Sequence, residues 1–209
     1  MNSTQCDQSP TASAADRFFR DYETHCVSPN LDTLFRLLDA LHSLNDKLRK
    51  EHNTDFFALK EFVALKALRN FFHHQGELLD KVRIVPADRL TPITTDLLFL
   101  CLVPRSLVES AIGSIEVKRR PTDEPLVREA LKWYGNVVNI NPCIFNFAVH
   151  VFEKTEALKI ALSSAAYSSF QESYEFEERA GHSHFITGDI ACHAGSVNAV
   201  LGIAFADVV

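Results

Sequence analysis

The sequence predicts a mainly helical fold: an N-terminal antiparallel helical bundle followed by a further helical half. Three observations lead there. Apolar residues recur every three to four positions over long stretches, helix-capping residues stand before those stretches, and proline or glycine stands near their ends. The chain has 209 residues, 46% hydrophobic and 23% charged, with 7 Gly and 8 Pro. That is enough for one sizeable core, and it excludes a disordered or collagen-like chain.

Residues 1–12 are small and polar and read as a disordered tail. A first helix is expected from Ala14 to about Cys26, carrying Phe18, Phe19 and Tyr22 and closed by Ser28-Pro29. Asn30 is placed to cap a second helix, whose Leu31, Leu34, Phe35, Leu38, Leu41 and Leu48 form one apolar stripe. Its last turns carry Lys47, Arg49 and Lys50, which suit the negative end of a helix dipole. Asp55 caps a third helix from about Phe56 to Lys81. Apolar residues cover most of its circumference, as in a helix buried in a bundle or at a subunit interface. Residues 13–82 are thus expected to form the bundle core.

Residues 83–180 read as a continuation of the same domain. Ile84-Val85 and the run Leu97 to Val103 fit the strands of a short β-hairpin near 83–103 or a buried helix, and periodicity leaves both open. A short helix follows from Leu107 to Ile115. Asp123-Glu124-Pro125 opens another, expected to reach Val138, and Asn141-Pro142 a third, with Ile144, Phe145, Val149 and Phe152 as its buried side. The acidic stretch Ser163 to Arg179 reads as a solvated helix. Residues 181–209 form a segment containing glycines and histidines.

Charge and cysteine content narrow the function. The formal charge is −6, but residues 1–105 hold 13 Lys and Arg against 14 Asp and Glu, and the rest hold 8 against 13. Strong non-specific affinity for nucleic acid is therefore excluded, whereas a small, locally positive cleft in the near-neutral half is not. The five cysteines include no Cys-x-x-Cys pair and are expected as free thiols. No apolar run reaches the roughly 18 residues of a membrane span, and the first residues carry neither a basic region nor an apolar signal core. A cytoplasmic protein without membrane attachment is expected.

The most informative residues are Arg69-Asn70-Phe71-Phe72-His73-His74, late in the third helix. A guanidinium binds phosphate oxygens, and an imidazole moves a proton near neutral pH, so the set suits phosphodiester cleavage. On a helical wheel Arg69, His73 and Lys66 share a stripe, while His74 lies beside Asn70 and Val63. One helix does not aim Arg69 and His74 at one phosphate, whereas two facing copies or a distorted turn near Gly76 would. A bland alternative is that Arg69 pairs with Glu61, Glu77 or Asp80 and the histidines close the helix.

Arg69-Asn70-x-x-x-His74 resembles the Arg, polar residue, then His signature of the HEPN superfamily, all-α bundles that include metal-independent endoribonucleases of toxin and antiviral systems. The resemblance implies a homodimer in which the arginine and histidine of two protomers meet. Arg69 would hold the phosphate, Asn70 support it, and His74 act as acid and base on the ribose 2′-hydroxyl, leaving a cyclic phosphate. His73 is a secondary candidate. The resemblance further implies an RNA substrate, no cofactor, and an antitoxin of nucleotidyltransferase type as partner protein. Lys66 and the cluster Lys118, Arg119 and Arg120 are candidate RNA contacts.

Two other function classes compete. One is a non-catalytic all-α dimerisation or interaction subunit of a larger complex, using the apolar third helix and the acidic second half. The other is a zinc hydrolase: His182 and His184 share one side of a strand at their spacing of two, and Cys192 or His193 would complete a tetrahedral site. Trp133 and Tyr134 are candidate base-stacking residues or core on an amphipathic helix.

Overall fold

The computed structural model describes residues 9–74, 82–90 and 93–204. Eight α-helices and six short strands are present among them. The mainly helical expectation holds, and the addition is a small antiparallel sheet. The chain forms two compact units, one taking the chain up to Asp55 with His150–His182, the other Phe56–Val149 and the stretch from Ser183. The expected bundle core of 13–82 is therefore divided, with its first two helices in the first unit and its third in the second.

In the first unit, α1 (Pro10–Val27) starts with Ser9, whose side chain accepts from the Ala12 N–H, and with Pro10 in its first turn. The helix thus begins inside the segment expected as a tail, and Thr11 and Ala12 are buried. A capping box of Asn30 and Thr33 opens α2 (Leu31–His52), as its sequence predicts, and left-handed Asn53 closes it. The short Ser28–Asn30 connection makes α1 and α2 a helical hairpin. The acidic α7 (Ala165–Ala180) is solvated on one side only. Its Tyr167 and Phe170 rings stand 5.3 Å from Phe19, and Asp16, 2% exposed, accepts from the N–H groups of Ser163 and Ser164 where α7 begins.

In the second unit, Phe56–Leu59 forms a turn, closed by the Leu59 N–H on the Phe56 carbonyl, and α3 runs Lys60–His74. The helix starts a turn later than predicted because Phe56 is inserted into the core, 5.1 Å from Phe147 and 5.9 Å from Phe62. The predicted end at Lys81 lies outside the described residues. The apolar circumference of α3 is covered inside this unit by α4 (Arg105–Gly113), α5 (Arg120–Ala130) and their neighbours. Its hydrophobicity is accounted for within one chain and does not by itself call for a second copy.

β1 (Arg83–Pro86) and β3 (Phe99–Pro104) pair antiparallel, Arg83 opposite Leu102 and Pro86 opposite Phe99, so the 83–103 region resolves as strands. A 3-10 turn (Ala87–Leu90) and β2 (Ile93–Thr95) lie between them. β3 is buried from Phe99 to Val103 because both its faces are covered, which is why its sequence lacks alternation. The helix expected to reach Val138 stops at Ala130. Lys132–Tyr134 (β4) and Val137–Asn139 (β5) form a hairpin around Gly135-Asn136, and Gly135 has φ +54. Glycine at the first central position is the turn chemistry of a two-residue hairpin. The sheet order is β1-β3-β5-β4.

Helix α6 (Asn141–Ala157) begins in this unit, with Ile144 and Val149 buried and Phe145 half-buried. The C-terminal segment contributes β6 (Ile190–Cys192), paired with β2, and α8 (Val197–Ala204), whose Ala204 packs with Val85, Leu100 and Val137. No helix among the described residues is long and apolar enough to cross a membrane.

Candidate nucleic-acid interface

One arc of α3 opens onto a groove of about 260 Å³ in the second unit. Its apolar floor is Phe57, Val63, Ala67 and Ile115, and its polar wall includes Lys66, Asn70 and Arg119. Glu116 and Asp123 also line it. The opposite wall is the turn between α4 and α5, which is held from both sides. The Arg120 guanidinium donates to the carbonyls of Gly113 and Ile115. Arg128 donates in a fork to Glu109, at 3.0 and 2.8 Å, and its Nε donates to Glu124. These bonds hold the Glu109 carboxyl below its ordinary pKa and tie α4 to α5.

The two groove cations share one ring. Lys66 Nζ lies 4.4 Å and Arg119 Cζ 5.1 Å from the centre of Phe57, each contact contributing roughly 0.5–1 kcal/mol in an exposed setting. Arg119 Nη2 is 3.2 Å from Asp123 Oδ2, one turn on along α5. The guanidinium is thereby oriented before any ligand arrives.

The predicted residues separate in space. At about 100° per residue, the groove-lining positions of α3, from Lys66 to Ala67, span roughly 100° of its circumference. Extended by one turn, that arc takes in His74; His73 falls about 20° and Arg69 about 60° outside it. His73 and His74 are exposed at the end of the helix, their rings 5.6 Å apart. Arg69 Nη1 reaches Asn70 Oδ1 at 3.5 Å. Glu77, Asp80 and Gly76, named above with Arg69, lie outside the described residues.

Of the basic cluster, only Arg119 lines the groove. Lys118 is exposed and meets Glu116 at 2.9 Å, and Arg120 is used in closing α4. Lys118 and Arg120 are thus not groove residues, because their side chains leave the same turn in different directions. Phe57, Glu116 and Asp123 had no signal as site residues. Nothing in the local sequence marked Phe57.

The zinc reading finds no support in the placement of its residues. His182 and His184 lie in irregular chain, so the strand argument for a shared side does not apply. Cys192 sits in β6 opposite Ile93, and the His193 ring accepts from the Gly195 N–H. Among the described residues no group of three or more His, Cys, Asp or Glu stands together as a metal site. Trp133 is on a strand, not a helix. Its indole donates to the Arg128 carbonyl, and Arg105 and Arg128 stand over its ring. Tyr134 donates to the Gly188 carbonyl.

Comparison with known proteins finds no matching family model, no matching curated protein and no matching solved structure.

Proposed function

We propose that this chain is a metal-independent endoribonuclease of HEPN type, acting as a homodimer in a toxin–antitoxin or antiviral setting. The observation that supports it best is the continuity of one arc of α3, from Lys66 and Asn70 in the groove to exposed His74 beyond it. In this reading His74 takes the proton of a ribose 2′-hydroxyl, O2′ attacks the adjacent phosphorus, and the 5′-oxygen leaves, giving a 2′,3′-cyclic phosphate. Lys66 and Arg119 face the charge that grows on the non-bridging oxygens. Arg69, outside the arc, contributes to the same phosphate from the second copy.

The test is cleavage of RNA in EDTA. His74→Ala is expected to slow cutting at least about 100-fold, as for loss of a general acid or base, with an unchanged circular dichroism spectrum. Cutting that needs a divalent metal and survives His74→Ala rejects the reading. No cutting at all favours the non-catalytic interaction subunit.

A further inference from the structure

Two carboxylates line a groove in which cations would hold a polyanion, and a carboxylate beside a phosphate repels it. Asp123 has a role already: its side chain is 14% exposed and orients Arg119 from 3.2 Å. Glu116 does not. Its side chain is 60% exposed and meets Lys118, itself 76% exposed. Such a pair contributes ~0–1 kcal/mol and is readily exchanged for another donor. The backbone beneath Glu116 is nonetheless fixed, since its carbonyl accepts from the N–H groups of Arg119 and Arg120 at 2.8 and 3.0 Å. The groove therefore presents an acceptor-only carboxylate, carried on a fixed backbone and free to change partners, beside the apolar Ile115 and the cations on Phe57.

The four RNA bases offer different edges to such a group. Guanine carries N1–H and N2–H side by side, which meet both oxygens of a carboxylate in two parallel hydrogen bonds. Uracil offers one N–H between two carbonyl oxygens. Adenine and cytosine each offer an amino group next to a ring acceptor, so the second carboxylate oxygen would face a lone pair.

Resting on the ribonuclease reading, we propose that the groove selects guanine in single-stranded RNA, with Glu116 accepting from N1–H and N2–H and Lys66 and Arg119 holding the neighbouring phosphate. The test titrates the full chain with the 3′-monophosphates of guanosine, inosine and uridine by calorimetry, beside cleavage of an oligouridylate containing one guanosine. Guanosine monophosphate should bind about tenfold tighter than the uridine form, with inosine, which lacks the N2 amino group, between them. Glu116→Gln, at an exposed side chain, should bring all three to within about threefold.

Equal binding of the three nucleotides, or a guanosine preference that Glu116→Gln leaves in place, overturns the selection. Cleavage at every base together with equal binding overturns it while the ribonuclease reading stands. Guanosine-selective binding that depends on Glu116, without cleavage, supports the selection and removes the ribonuclease reading.

Discussion

His25 lies fully buried in α1, its Nδ1 2.8 Å from the Thr33 hydroxyl. Burial disfavours the imidazolium and lowers the pKa from 6.5 to about 4. The folded chain therefore binds this proton less readily than the unfolded chain. The group costs no stability above pH 6.5, and stability is lost progressively as pH falls from 6.5 towards 4, by up to about 3 kcal/mol. Urea denaturation of the protein and of His25→Gln at pH 7 and pH 4 checks this, because the carboxylates titrate in both and only the difference reports His25. At the same scale, helical spacing sets His74 beside Asn70 and sets Lys66 nearer to Arg69 and His73, and only the groove, lined by both Lys66 and Asn70, joins the two stripes. Arg119 was legible as a cation but not as their neighbour, since a turn some 50 residues away brings it there. The same spacing already turns Arg69 about 140° from His74 around the helix, and the groove leaves Arg69 outside it.

The ends of α1 and α2 that flank their connection were read well, whereas α3 starts at Lys60 rather than after Asp55, and α5 starts at Arg120 with Pro125 inside it rather than at Asp123. Asn30 opening α2 and Ser28 closing α1 act through the backbone groups next to them, and both lie where capping chemistry put them. From Leu131 to Val138 the apolar pattern continues that of α5, but the Gly135-Asn136 turn signal prevails and the stretch forms a hairpin instead of helix. Another constraint on elements is visible only in space. Gly188 has φ +68, and a Cβ there would stand 2.2 Å from Cγ of Pro142 at the start of α6. Asp96 accepts from the Thr187 and Gly188 N–H groups, so this stretch ahead of β6 is held and cannot move aside freely. Gly188→Ala combines an unfavourable backbone conformation with overpacking and is expected to destabilise the fold by about 3 kcal/mol. The measurement is the shift in the denaturation midpoint at unchanged slope.

At the scale of the whole molecule, the homodimer is the expectation most open to a direct measurement. Sedimentation equilibrium should return twice the 23.5 kDa chain mass at the concentration where RNA is cut. A monomer that cuts RNA would place the whole reaction in one groove and remove Arg69 from it. Helical content and the capping of the α1–α2 hairpin follow from composition and from spacings of three or four residues, which act within one or two turns. The division into two units, the central strand β3 and the meeting of Lys66 with Arg119 over Phe57 depend on contacts between distant parts of the chain. Those contacts come from burying apolar surface, which has no direction along the chain, so many pairings satisfy one linear pattern and only the folded chain selects among them.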